Sequence, residues 1–217
     1  MAGDQLRAYQ QMTKELRVWM ESMDGDEIHT KKAVVLVQLL RLSEITSGFV
    51  RDDKGVAHWF KDHAKGKALD EIVTDHMPDK LVIFCHWRPE CIHYAERYKE
   101  HGTSILFGGI EGRDRDAIIE EFRTSPSLKI LVCQESSGGI GIDLSAAALC
   151  VYASRSWSLE AWLQSNDRLR GPNQKREVGT LTLQARSWID TRIAAVLEDK
   201  EDTAEVINRD SLKEEAA

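Results

Sequence analysis

Apolar residues follow two different rhythms along this chain. Before Pro78 they recur at helical spacing. Leu6, Tyr9, Met12, Leu16 and Trp19 fall on one face of a helix expected from Asp4 to about Ser22. Ala33, Leu36, Val37 and Leu40 do the same from Thr30 to about Leu42. The stretch Ser47–Lys67 is rich in Gly, Lys and Asp and reads as an irregular loop anchored by Trp59-Phe60, with a short helix near Ala68–Thr74. After Met77-Pro78-Asp79 short β-rich apolar runs take over: Leu81–Cys85, Ser104–Phe107, Lys129–Cys133, Leu149–Ala153 and Gly179–Leu183. Between and after them lie helical patterns at Pro89–Glu100, about Arg113–Phe122, Ser158–Arg170 and Trp188–Leu197. Strands alternating with amphipathic helices specify an α/β fold: a parallel sheet with helices on both faces, preceded by a helical segment. The expected divisions are 1–76 for the helices and irregular segment, 77–199 for the sheet domain, and 200–217 for an acidic tail. In such sheets ligands gather at the carboxyl ends of strands, so the loops after Cys85, Cys133 and Ala153 are where chemistry belongs.

Composition narrows the classes. A chain of 217 residues, 42% hydrophobic and 30% charged, buries one good core with a modest appendage. No apolar run approaches the roughly 18 to 20 residues of a membrane span, so no membrane partner is expected. The opening MAGDQLRAYQQMTKELRVWM mixes charge and apolar residues at helical spacing, unlike a secretory signal, and the expected compartment is cytoplasmic. The net charge of −7, much of its excess in Glu198–Ala217, excludes a generic nucleic-acid coat protein. Any nucleic-acid contact has to come from local basic groups. Cys85, Cys133 and Cys150 sit inside apolar runs, as buried thiols do. Cys85, His86, Cys91 and His93 cluster in sequence, but their spacing fits no common structural zinc site, so no metal is expected.

Two stretches carry candidate chemistry. In KILVCQESSGGIGIDL, from Lys129 to Leu144, a strand runs into Ser136-Ser137-Gly138-Gly139-Ile140-Gly141-Ile142-Asp143. Glycines let backbone N–H groups approach an anion, serine hydroxyls bond phosphate, and Asp143 can accept from a sugar hydroxyl. A purely structural turn has the same composition, and the spacing is not the GxGxxG of dinucleotide sites. In LEAWLQSNDRLRGPNQ, from Leu159 to Gln174, Gln164 and Arg168 are four residues apart on one helical face. Gly171-Pro172 would end that helix just after Arg170. One glutamine and two guanidinium groups at a helix end suit the charge of a transferring phosphoryl group, though a solvated face would look similar.

The order LVIFCHW, GGIEGRDRDAIIEEF, KILVCQESSGGIGIDLSAA and WSLEAWLQSNDRLRGPNQ resembles the C-terminal, second RecA-like domain of superfamily 2 helicases. The resemblance is Swi/Snf-related, covers about Thr30 to Leu197, and takes a bacteriophage flavour from RLSEITSGFV and the GPNQ ending. It implies a RecA-like lobe of a DNA-dependent ATPase, with ATP as ligand, double-stranded DNA as partner, and Mg²⁺ held by a first lobe. Phe84, His86 and Trp87 match motif IV, which in the family lies near the nucleic-acid backbone. Gly109 and Arg115 match a Gly-then-Arg segment. Ser136, Ser137 and Gly138 match the nucleic-acid side of motif V, and Gly141 and Asp143 its nucleotide side. Gln164, Arg168 and Arg170 match motif VI, whose arginines act on the γ-phosphate. One departure stands out: Gly171 occupies the place of the usual second arginine, which leaves Arg168 as the expected finger and Arg170 as its substitute.

A complete motor also needs GxxxxGK[ST] to cradle phosphates and an acidic box for Mg²⁺. Gly66-Lys67 is followed by Ala68 and lacks the earlier glycine. Asp26-Glu27-Ile28-His29 spells DExH but follows Glu21–Gly25 instead of an apolar strand, and Asp70-Glu71 lies in a charged helix. The expectation is a half-motor, inactive alone, that works with a first RecA-like lobe in trans or in a longer protein. The competing readings are a catalytically inactive DNA- or protein-binding adaptor, and an unrelated α/β enzyme holding a cofactor at Gly138–Gly141.

Overall fold

A computed structural model describes residues 1–21, 32–110, 112–137, 143–168 and 178–200. Among them the DExH string, Gly138, Gly141, Arg170 and Gly171-Pro172 do not figure; these lie outside the described residues. The chain divides into two compact units, Met1–Met77 with Thr182–Asp190, and Pro78–Leu181 with Thr191–Ala217.

In the first unit, helix α1 (Gly3–Glu21) packs on α2 (Lys32–Ser47). Tyr9 and Leu16 of α1, and Leu42 and Ile45 of α2, are buried. The amide of Gln5 ties the pair together, donating to the Ile45 carbonyl at 2.8 Å. The stretch expected to be irregular contains a hairpin, β1 (Phe49–Arg51) paired antiparallel with β2 (Ala57–Trp59). Its turn, Asp52–Val56, is rich in Asp, Lys and Gly, and that composition hides two strands too short to alternate visibly. Phe49 stacks near Trp59 with centroids 5.1 Å apart, so Trp59 does anchor the segment. Helix α3 (Ala64–His76) starts four residues earlier than Ala68 because His63 caps it, Nδ1 accepting from the Gly66 N–H at 3.1 Å. A buried ion pair joins Lys65 Nζ to Asp190 Oδ2 at 2.7 Å. Asp190 also accepts from the Thr46 hydroxyl at 2.6 Å and the Ala185 N–H at 2.9 Å, so its charge is fully partnered.

The second unit holds a sheet ordered β4-β5-β3-β6-β7, from β3 (Leu81–Cys85), β4 (Thr103–Leu106), β5 (Ile130–Gln134), β6 (Leu149–Tyr152) and β7 (Gly179–Thr182). β3 pairs parallel with β5 and β6, and β4 with β5, which establishes the expected parallel α/β architecture. β3 is buried along its whole length, as a central parallel strand must be, and this explains its unbroken LVIFC run. In register, Phe84 sits beside Cys133 and Tyr152. With Val82, Leu131 and Cys150 these line one face, which α5 (Gly112–Thr124) covers with Phe122, Ile118 and Ile119. Trp162 of α6 (Leu159–Asp167) packs against the same cluster. α4 (Arg88–Arg97) carries buried Cys91 and Tyr94 and packs on β3, β4 and β5. A final helix, α7, runs over 188–200. Gly102, with φ +71°, opens β4; a Cβ there would meet the Ser127 carbonyl oxygen at 1.8 Å, so no other residue fits. Trp188, at the start of α7, is 56% exposed.

Candidate functional site

At the carboxyl end of the sheet, the loops after β3, β5 and β6 are stitched together by side chains. The His86 N–H donates to Ser154 Oγ at 2.7 Å, and the Ser154 hydroxyl donates to Glu90 Oε2. Glu90, at the third position of α4, also accepts from the Trp87 N–H at 3.2 Å. The Gln134 amide reaches the His86 carbonyl at 3.3 Å. The His86 and Trp87 rings lie 4.4 Å apart, both half-buried, so one edge of each meets solvent. Phe84 needs correcting. Only 1% exposed and stacked 5.0 Å from Tyr152, it belongs to the core beneath the loop and presents no face to a nucleic acid.

After β5 the chain makes one 3₁₀ turn, Glu135–Ser137. Ser136 is exposed, whereas the Ser137 hydroxyl is turned inward to the carbonyls of Gln134 at 2.6 Å and Leu106 at 3.3 Å. Ser137 therefore holds the loop's shape, and Ser136 is the hydroxyl open to a ligand. Glu135 is 1% exposed, and its Oε2 accepts the Ser156 N–H at 2.7 Å. Burial raises its carboxyl above the ordinary range, the Ser156 bonds and the Arg155 guanidinium opposing. Sequence reasoning passed over Glu135, although an acidic residue between an apolar strand and a glycine-rich loop was a visible signal.

The loop after β6 leads into α6, whose first turn is capped by Ser158 accepting from the Ala161 N–H at 3.2 Å. Two contacts fix this helix on the sheet: Tyr152 Oη to Ser165 Oγ at 2.8 Å, and Tyr152 against Trp162 at 4.5 Å. The Arg155 guanidinium lies 3.7 Å above the Trp162 ring. α6 leaves the carboxyl end of the sheet and ends earlier than the sequence implied, at Asp167 with Arg168 as its C-cap. Gln164 is exposed and hydrogen-bonds Glu160 at 2.9 Å. Arg168 is half-buried, and its carbonyl accepts the Leu144 N–H at 3.2 Å.

That bond brings Arg168 next to Asp143, one residue before Leu144. Asp143 accepts the Ser145 N–H at 2.9 Å, and the Ser145 hydroxyl together with that N–H holds its carboxyl below the ordinary range, with Arg123 assisting. It lines a cavity of about 590 Å³ with Lys80, Arg123, Lys129 and Ala146–Ala148. Lys80, Lys129 and Ala148 immediately precede β3, β5 and β6, so this cavity opens at the amino end of the sheet. The predicted residues therefore separate: His86, Trp87 and Ser136 gather at the carboxyl end, and Asp143 with Arg168 toward the other. The second group lies away from the strand carboxyl ends.

The helicase conserved C-terminal domain matches residues 64–170. Over this stretch the chain is similar to helicase C-terminal domains of the Swi/Snf type. An ATP-dependent helicase of Mycoplasma pneumoniae is 25% identical over 172 residues, which is 77% of this chain and 16% of that protein. The Sulfolobus solfataricus SWI2/SNF2 ATPase core in complex with dsDNA aligns with TM-score 0.68 at 25% identity, over 85% of this chain and 39% of that one. The isolated SWI2/SNF2 C-terminal domain of the same organism shares the fold, with TM-score 0.68 at 22% identity, over 91% of this chain and 81% of that one. This chain spans less than a fifth of the length of the curated relatives it matches. The matched stretch begins at α3 and ends just past α6, so it takes in the loops after β3, β5 and β6.

Proposed function

We propose that this chain supplies the second RecA-like lobe of a Swi/Snf-like DNA-dependent ATPase, meeting a first lobe in trans or in a longer protein. The observation that carries this reading is the separation of two chemically different groups within one small sheet domain. The Leu144–Arg168 backbone bond brings together the chain segments that carry Asp143 and Arg168, a carboxylate and a guanidinium. That donor set suits a nucleotide: the guanidinium the γ-phosphate charge, the carboxylate a ribose hydroxyl. Arg170 and Gly141 belong to the same reading, and Gln164 stands one turn before Arg168 on α6. Mg²⁺ and the phosphate cradle are assigned to the first lobe, since this sequence has no GxxxxGK[ST]. His86, Trp87, Ser136 and the neighbouring Gly138 form the nucleic-acid side, with duplex DNA as the partner. Both groups ride on one rigid scaffold, so closing the lobes on ATP would move the DNA-side loops with Arg168. The bacteriophage flavour and a host-cytoplasmic location complete the reading.

The test is ATP turnover by this chain alone, by a first lobe carrying the phosphate-cradling loop, and by their mixture, each with and without duplex DNA. Turnover only in the mixture, raised by DNA, supports the half-motor. Turnover by the chain alone overturns it. An inactive mixture in which the chain still binds DNA favours the adaptor reading.

A further inference from the structure

The loop network leaves one exposed cation without an explanation. Arg88, the first residue of α4, projects from the end of β3 with its guanidinium carbon 4.1 Å above the ring of Phe107, the residue after β4. In the sheet β5 lies between those two strands. The Arg88–Phe107 contact therefore bridges the end of β5, where the Ser136–Ser137 turn begins. A second guanidinium comes from the other side: Arg115 Nη2 of α5 donates to the Ser137 carbonyl at 3.3 Å. Ser137 also reaches Leu106, the neighbour of Phe107, so ring, serine turn and both arginines form one connected patch.

The chemistry of the two arginines differs. Arg115 is half-buried and spends a donor on the protein, which makes it a support for the turn. Arg88 is exposed and forms no ion pair among the described residues. Stacking on an aromatic face restrains the guanidinium plane and leaves its edge N–H donors pointing outward. A guanidinium on the same loop cluster as the exposed Ser136 hydroxyl offers a fork of donors to a phosphate oxygen pair. On a chain of net charge −7 an unneutralised cation at this place is also what local, not global, attraction to a polyanion requires.

We propose that Arg88, held over the ring of Phe107, is a phosphodiester-binding residue for the DNA backbone, sharing one phosphate with Ser136. This rests on the reading of the carboxyl-end loops as the nucleic-acid side. It adds a residue and a platform that sequence motifs did not single out.

The test is duplex binding by the full 217-residue chain, followed by fluorescence anisotropy over a range of salt concentrations and with several unrelated sequences. Arg88→Ala should weaken binding about equally for all sequences and reduce the salt slope by about one contact, roughly 0.9. Phe107→Leu keeps the charge but removes the platform, so the slope should persist while affinity falls several-fold. Arg88→Lys should likewise keep the slope and lose the fork. Matching thermal unfolding curves establish that each variant is folded. If the unaltered chain binds no duplex, the nucleic-acid side itself is misassigned. If it binds and Arg88→Ala leaves both slope and affinity unchanged, the Arg88 proposal fails alone. Equal competition by inorganic phosphate at duplex concentrations would also overturn it, because a free-anion site would then be the better description.

Discussion

Replacing Phe84 separates support from contact at the motif IV loop. Its ring is 1% exposed and stacks on Tyr152 at 5.0 Å with an interplanar angle of 23°. Leucine preserves most of the volume but forfeits the ring pair, about 0.5 to 1.5 kcal/mol. Imperfect shape adds up to about 1.5 kcal/mol, so Phe84→Leu should cost roughly 1 to 2.5 kcal/mol. Phe84→Ala leaves a cavity and should cost about 3 to 5 kcal/mol. Urea unfolding measures both, and the m-value should not change, because the exposed surface of unfolding is nearly the same. The salt slope of duplex binding should stay at its wild-type value in the leucine variant, since no phosphate contact is lost. The reasoning is refuted if Phe84→Leu is as stable as the parent yet binds DNA with a reduced slope.

Other consequences are independent of that ring. Asp190→Ala strands the buried Lys65 ammonium, and because Asp190 also serves Thr46 and Ala185 the loss should reach about 3 to 5 kcal/mol in denaturant unfolding. A cost below about 1 kcal/mol would mean the pair is solvated in solution. Glu135 gives a pH signature. Its carboxyl is raised above 4.5 by burial, so the folded state holds the proton more tightly than the unfolded one. That contribution is complete below the unfolded value and is lost as pH rises through the raised value. Glu135→Gln should therefore flatten the stability profile on the acid side of neutrality, where Tyr152, which faces Glu135, stays a neutral phenol. Parallel profiles for parent and variant would contradict the assignment.

Much of the sheet domain was legible because a central parallel strand has to be apolar throughout. LVIFC, ILVC and LCVY announce themselves, and the helices between them keep a 3.6-residue rhythm. Less was legible where short elements hide in polar composition. The β1–β2 hairpin has three residues per strand and a turn of Asp, Lys and Gly, so no alternation could emerge. The early start of α3 depends on a histidine cap, a choice outside the usual Ser, Thr, Asp and Asn. Motif matching proposed Phe84 alongside His86, and one-dimensional spacing could not tell Phe84 in the core from His86 above it. Nor could it see that Ser137 faces inward while Ser136 does not. Arg88, Glu135 and Tyr152 escaped because their roles arise from neighbours distant in sequence: Phe107, Ser156 and Ser165.

The central claim is that Arg168 acts across a lobe interface on a nucleotide held by another lobe. The most direct measurement is steady-state ATP turnover of this chain joined with a first lobe, on saturating duplex DNA, comparing the parent with Arg168→Ala and Arg168→Lys. The account predicts a loss in kcat of about 10³ or more for alanine, with KM and DNA affinity little changed and lysine recovering only a fraction. An Arg168→Ala protein that hydrolyses ATP at the parental rate would contradict it.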